Sequence, residues 1–315
     1  MVELDVWISA LGRMSAAHPD MARILHVVDR LQDRPYRSHV LLCGEPGTGK
    51  EGLAKLLHRM MHPSGGPCER VSLMGRTPGQ IFADLFGDAA AEPGKPAGGA
   101  FARARGGTLI LDEILALPAD AQRRLHELLS ATRWIERPAE AVVIMALSDG
   151  DVGQAVQSGA LRHDLAFKLG RILITVPPLR ERPEDLSHAA LWTANRILRS
   201  RGIQRGAELI EVTSPGDSTE VAAVTADPES GVPEPYRVTS RAVAALGRYP
   251  RSSAAARSWP GNFRELEAVL ERAILLYSDG EVLREADVER ALADSLAMNS
   301  KSDSRPGAEE LHQRT

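Results

Sequence analysis

Apolar residues recur at helical spacing over Met21, Ile24, Leu25, Val28 and Leu31, ahead of Pro35, which predicts an amphipathic helix whose role is packing. From Ser38 the period changes. The short apolar run HVLLCG breaks on Gly44 and passes into a helix that starts near Lys50, with Leu53, Leu56 and Leu57 on one face. That pattern reads as strand, glycine turn and helix. Three further apolar runs, GGTLILDE, AVVIMALS and RILITV near residue 172, have strand length and leave room for intervening helices. Alternating strands and helices imply an α/β fold, a parallel sheet with helices on both faces. After PPLRER the periods become helical, as in HAALWTANRIL and RELEAVLERAILL, so a second, helical subdomain follows. Within it, residues 203–237 form an acidic, Pro/Gly-rich insertion in which ELIEVT and TEVAAVT flank SPGDS. Such a segment is either a projecting β-hairpin or a disordered insertion. The polar stretch 296–315 reads as a disordered tail, and no internal repeat is visible.

Composition narrows the setting. With 315 residues, 43% hydrophobic and 25% charged, the chain has room for one large domain or two modest ones. Cys43 and Cys68 are too few for a disulfide framework and are not spaced as zinc ligands, which points to a reducing compartment and a cytoplasmic protein. The beginning, MVELDVWISALGRM, carries acid where a signal peptide carries positive charge, and no apolar run reaches membrane-spanning length. The net charge of -4 disfavours a chain whose main task is gripping DNA phosphates. Much of that acidity sits between Glu208 and Glu234.

The chemistry concentrates at Gly44-Glu45-Pro46-Gly47-Thr48-Gly49-Lys50, a G-x-x-x-x-G-K pattern after a strand and before a helix. Glycines there let backbone amides turn toward phosphate, the helix start adds favourable partial charge, and the lysine reaches the terminal phosphates of ATP. The next residue is Glu51 rather than the Ser or Thr that helps to hold Mg2+, so another carboxylate must serve. Asp112, at the end of the TLILDE run, is placed as that magnesium partner, with Glu113 beside it as the group that polarises water.

In order, GEPGTGKEGLAKLLH, FADLFG, GGTLILDEI, LPADAQRRLHELL, LRHDLAFKL, VPPLRERPEDL and WPGNFRELEAVLERAILL make residues 15–295 resemble the central ATPase domain of bacterial sigma-54-dependent transcription activators, a branch of the AAA+ superfamily. Glu after the loop lysine is usual in that family, so Glu51 agrees with it. The resemblance implies an N-terminal helical segment (1–36), an AAA+ P-loop NTPase core (37–180), a helical lid (181–295) interrupted by the insertion, and a ring, typically a hexamer, with ATP between subunits. It puts Arg162 of LRHDL where a neighbour's arginine finger stands, Lys168 at a second finger-like position, and Arg264 of GNFREL at the lid arginine that senses nucleotide. Arg180 and Arg182 of PPLRER then join core to lid.

Several departures shift the functional expectation. Gly99-Ala100-Phe101 looks like the start of the family's sigma-contacting Gly-Ala-Phe-Thr-Gly-Ala loop, yet counting back from Gly106-Gly107-Thr108 it fills the G-x-F slot that precedes the acidic strand. The true loop slot holds DAAAEPGKPAG, which has no aromatic, and a second surface loop is reduced to Pro138-Ala139-Glu140. The first-sensor Thr-Asn reads Leu147-Ser148, and the Asn that holds the catalytic glutamate reads Met74. Lys168 keeps charge without the two-pronged fork of arginine. Little chain beyond the lid remains for a helix-turn-helix. The expectation is an ATP-binding AAA+ protein in transcriptional or signalling regulation, with weak or no hydrolysis and without sigma-54 remodelling. Two alternatives stand beside it: an active ring remodelling sigma-54 polymerase, or a non-catalytic partner of an intact AAA+ relative in a homo- or hetero-oligomer. His58 and His62, at i, i+4 spacing with no third ligand, read as helix surface rather than metal site. Arg248, Arg251 and Arg257 form a small basic patch read as a solvated lid loop.

Overall fold

The computed structural model describes residues 19–33, 37–87, 98–131, 141–203, 207–210, 236–249 and 259–303, and the chain divides into two compact units after Arg182. The first unit opens with α1 (Pro19–Asp33), which buries Met21, Ile24 and Val28 along one face. Then come β1 (Val40–Cys43), α2 (Lys50–Met61), β2 (Cys68–Ser72), α3 (Pro78–Phe86) and the short α4 (Ala100–Arg103). It continues through β3 (Thr108–Asp112), α5 (Ala119–Ala131), β4 (Val143–Ser148), α6 (Val152–Gln157), α7 (His163–Leu169) and β5 (Ile172–Thr175). Among the described residues the strands form one parallel sheet in the order β2-β3-β4-β1-β5.

Burial follows sheet position. Every residue of β4 is buried and so are the first four of β3, as expected of central parallel strands covered on both faces. The edge strands carry polar residues. In β2 only Val71 is buried while Glu69 and Arg70 lie outward, which is why its sequence, CERVS, gives no apolar run and was not among the predicted strands. Local signals set the helix starts: α3 opens with a reciprocal capping box between Thr77 and Gln80 and with proline in its first turn.

The second unit holds α8 (Leu186–Ser200), β6 (Ala207–Ile210), β7 (Tyr236–Thr239), α9 (Ser240–Gly247), α10 (Asn262–Arg272), β8 (Val282–Leu283) and α11 (Glu285–Asp303). Its helices pack through Ala190, Ile197, Leu266, Leu270 and Ala291, all buried. Three features differ from the sequence reading. The subdomain is not purely helical: β6, β7 and β8 form a small parallel sheet. The two ends of the 203–237 insertion are therefore part of the fold, with Ala207 paired to Tyr236 and Ile210 to Thr239, while TEVAAVT lies outside the described residues. Finally, α11 runs to Asp303, beyond the boundary at 296, and 304–315 lie outside the described residues.

The histidine pair also departs from expectation. His58 on α2 and His62 at its C-cap are buried, not on the helix surface, and their rings stand 4.9 Å apart. Thr108 Oγ1 lies between them, 2.8 Å from His58 Nδ1 and 3.2 Å from His62 Nε2. With His62 Nε2–H donating to Thr108 and the Thr108 hydroxyl donating to His58, the arrangement requires His58 Nδ1 to be unprotonated, and burial favours the neutral form of both rings. Among the described residues no cluster suited to a metal ion is present.

Burial first, then the nearby positive charges, lowers both His39 and His62 to about 4; His39 Nδ1 accepts from the Ile144 amide at 3.0 Å. A histidine depressed in the folded state stays neutral there while its unfolded counterpart gains a proton, so stability is lost as pH falls below about 6.5. Between pH 7.5 and pH 5 each should cost about 2 kcal/mol. Urea unfolding at the two pH values measures this, and replacing His62 by Asn should reduce the acid-dependent loss by about 2 kcal/mol relative to wild type; an equal loss in the variant contradicts the assignment.

Candidate functional site

The glycine loop leaves the C-terminal end of β1 and enters α2. Gly44 continues the β1–β4 pairing by donating its amide to the Ser148 carbonyl at 3.2 Å. A Cβ at Gly44 would meet the Val176 carbonyl oxygen at 2.6 Å, so only glycine passes between the strand ends. Gly49 stands at the N-cap of α2, where no side chain caps the first-turn amides. Thr48 Oγ1 donates to the Glu45 carbonyl at 2.9 Å and closes the turn from inside.

Two arginines near the end of the unit grip this loop. Arg180 forks onto Glu45 with two contacts of 2.6 Å. The buried Arg182 donates to the Thr48 carbonyl at 3.2 Å and to Met21 Sδ at 3.5 Å, tying α1 to the same turn. The bidentate fork matches guanidinium to carboxylate geometry, which a lysine does not reproduce.

Lys50 is 6% exposed, and its ammonium donates to three acceptors: the Gly44 carbonyl at 2.7 Å, the Glu45 carbonyl at 2.8 Å and the Asp149 carboxylate. Asp149 follows directly on β4 and also bonds the side chain of Glu113. Burial, then the hydrogen bond and negative charge of Asp149, raises Glu113 to about 7. The backbone of Glu113 is in the left-handed region at φ 63°, ψ 62°, a conformation uncommon for any residue with a side chain. Asp112, one residue earlier, receives Arg70 at 2.5 Å, and Arg70 reaches Glu51 at 3.3 Å. The acidic strand end thus already accommodates a positive group, and its carboxylate oxygens are the hard donors that Mg2+ takes.

The sheet therefore brings Gly44 to Lys50, Glu51, Asp112 and Glu113 to the C-terminal ends of β1 and β3, on either side of β4. This is the crevice where the strand order reverses and where open α/β sheets bind ligands. Arg162 and Lys168 are elsewhere, on α7. Arg162 is exposed at the N-cap, forking onto Asp164 at 3.0 and 2.6 Å, and Lys168 reaches Ser130 Oγ on α5. Asp164 is held well below the usual carboxylate range, chiefly by that fork. Arg264 belongs to the second unit, exposed in the first turn of α10.

Two sequence assignments near the site change. Met74 lies beyond β2 and is 63% exposed; the residue in register with Asp112 is Ser72. Ser148 is buried and spends its hydroxyl on the Gly150 carbonyl at 2.9 Å, leaving Asp149 as the group that faces Lys50. Asp149 follows a segment read for its apolar run and Arg70 lies in β2, which has no such run, so neither stands out in the sequence, and only the strand register carries them to the loop. As for Gly99-Ala100-Phe101, Gly99 caps α4 so tightly that a Cβ would sit 2.3 Å from the Leu85 carbonyl, Ala100 is fully buried and Phe101 packs on the core. The true loop slot at 88–97 and Pro138-Ala139-Glu140 lie outside the described residues, as do Arg251 and Arg257. Arg248 of the basic patch pairs with Glu285.

The strand order, the loop between β1 and α2 and the acidic pair ending β3 define an AAA+ P-loop NTPase fold. More closely, the chain belongs to the family described as the Sigma-54 interaction domain, whose pattern matches residues 14–175, and residues 233–305 match the AAA+ ATPase lid domain. It is similar to the DNA-binding transcriptional regulator NtrC of Bradyrhizobium sp. (strain RP501 Parasponia), at 31% identity over 93% of this chain and 54% of that protein. It is also similar to the Nif-specific regulatory protein of Azotobacter vinelandii, at 29% identity over 85% of this chain and 45% of that protein. The chain thus spans about half the length of these curated relatives. Among solved structures, NtrX of Brucella abortus in complex with ADP shares the fold, with TM-score 0.64 and 22% identity over 98% of this chain and 59% of that one. The NtrX complex with ATP gives the same TM-score and covers 60% of that chain.

The left-handed backbone at Glu113 costs roughly 1–2 kcal/mol relative to glycine. Glu113→Gly is therefore expected to raise unfolding stability by about 1 kcal/mol in urea titrations at neutral pH. Because its carboxyl is raised to about 7, ionisation opposes folding above the ordinary carboxylate range, so the gain should be larger at pH 8 than at pH 5. A loss of stability at both pH values would contradict it.

Proposed function

We propose that this chain binds ATP with Mg2+ at the glycine loop, hydrolyses it slowly or not at all, and acts in bacterial transcriptional or signalling regulation without remodelling sigma-54 polymerase. The observation that carries the reading is the convergence of Lys50, Asp112 and Glu113 on the strand ends beside an uncapped helix start. The loop amides and Lys50 would hold the phosphates, Asp112 would hold Mg2+, and Glu113 would orient water. The metal, when bound, neutralises charge on the phosphate oxygens. Arg162, exposed on α7, would serve a neighbouring subunit's site, and Arg264 would sense nucleotide from the lid. Assembly into a homo- or hetero-oligomer, with a hexameric ring as the family form, would bring Arg162 to such a neighbouring site. A cytoplasmic setting accords with the free thiols of Cys43 and Cys68.

Slow turnover is favoured by the first-sensor segment, where Leu147 and Ser148 replace Thr-Asn, the Ser148 hydroxyl is engaged by Gly150, and burial and the neighbouring Asp149 raise the Glu113 carboxyl to about 7. The buried Gly99-Ala100-Phe101 turn favours a protein without the sigma-contacting tip. The same features support a second reading, a non-catalytic partner that co-assembles with an intact AAA+ relative.

Two outcomes are expected. Lys50→Ala should weaken binding of a fluorescent ATP analogue at least about tenfold, since it removes a charge-assisted contact; equal binding by the variant would sink the nucleotide reading. Steady-state ATP turnover should be near background and unchanged in Glu113→Gln. Robust turnover abolished by that substitution would instead favour the active ring that remodels sigma-54 polymerase, which open-complex formation in a reconstituted system would then report.

A further inference from the structure

Asp149 accepts from the Lys50 ammonium and stands beside Glu113, whose carboxyl it helps to raise, and neither the loop motif nor the acidic strand motif includes it. Its position is built. Ser148 donates to the Gly150 carbonyl at 2.9 Å, and a Cβ at Gly150 would come within 2.9 Å of Leu115, so the turn after β4 is pressed against the helical turn at Ile114–Ala116. Two residues on, Asp151 caps α6 through the Gln154 amide at 3.0 Å. The side chain of Asp149 is thereby aimed at the loop from a fixed backbone, and it is 28% exposed.

An ammonium group has three protons, and all three of Lys50 are committed: two to loop carbonyls and one to Asp149. The two carbonyls belong to the loop itself. A terminal phosphate that takes Lys50 must therefore replace Asp149 and not the loop. Once replaced, Asp149 stays on its rigid turn, close to Glu113 and to the incoming phosphate. Like charges a few ångströms apart in a partly buried crevice repel, and the penalty grows with the charge brought in. ATP carries one more negative charge than ADP and extends one phosphate further toward the strand ends.

Building on the nucleotide reading above, we propose that Asp149 is a specificity-determining residue that clasps Lys50 in the nucleotide-free pocket and biases the site toward ADP over ATP. It acts through Lys50 and through its own charge at the terminal phosphate position. Its effect is then directional: neutralising Asp149 should tighten ATP more than ADP, whereas a merely structural residue would weaken both.

The test is calorimetric titration of the full chain with a non-hydrolysable ATP analogue and with ADP, both with Mg2+, for wild type and Asp149→Asn. The asparagine keeps size and hydrogen bonding while removing charge. The analogue is expected to bind Asp149→Asn about tenfold tighter and ADP less than about threefold tighter. Adding Lys50→Ala to that variant should cancel the gain. An affinity ratio equal to that of wild type, or a similar weakening for both nucleotides, overturns the proposal while leaving nucleotide binding intact. If neither protein binds either nucleotide, the nucleotide reading and this proposal fall together; if only the variant binds, the clasp is supported in its strongest form. Thermal melts check folding, and should Asp149→Asn fail to fold, Asp149→Ser replaces it with the same expected ratio change.

Discussion

The parallel pairing of β1 with β4, from Val40 beside Met145 to Cys43 beside Ser148 and one step further through the Gly44 amide, sets the spacing on which the candidate site depends. Neighbouring strands stand about 4.8 Å apart, so the first residues beyond the two strands meet within reach of one side chain. Lys50, the first residue of α2, returns across that gap to Asp149. On the far side of β4, β3 delivers Asp112 and Glu113 at the same level. A slip of one residue in any of these pairings would turn Glu113 or Asp149 to the other face of the sheet and empty the crevice of its chemistry.

Charge around the loop is arranged in two collars. Arg180 and Arg182 hold Glu45 and the Thr48 carbonyl from one side, while Arg70 ties Asp112 to Glu51 on the other. Such pairs, partly open to solvent, add little to global stability. Their contribution is geometric. The bidentate Arg180 contact fixes the height of the loop, and the shared Arg70 nitrogen links the acidic carboxylates, so a ligand meets a preformed surface rather than one it must order.

How much of this was legible in the sequence depends on where each signal resides. The core strands β1, β3, β4 and β5, the glycine loop and the Asp112-Glu113 pair declare themselves locally, through apolar runs and a spaced glycine-lysine motif. β2 is invisible because an edge strand with one buried residue carries no apolar run. The sensor-side assignments failed for a related reason. Met74 was named by counting along the chain, while the residue that flanks Asp112 is chosen by register and is Ser72. Asp149 sits next to the expected sensor position, yet its role arises from a contact spanning 99 residues, which no local pattern encodes. The histidines on α2 illustrate the opposite error: i, i+4 spacing was read correctly, but which face of the helix the sheet would cover was not.

The two ends of β3 carry unlike chemistries. Thr108 begins the strand between two neutral imidazoles, and Asp112 ends it beside the loop. Four residue steps in an extended chain span about 13 Å. The imidazoles that weigh on the unit's tolerance of acid and the carboxylates of the crevice therefore stand at opposite ends of one strand, and that tolerance can be retuned at His58 or His62 without touching a residue of the pocket.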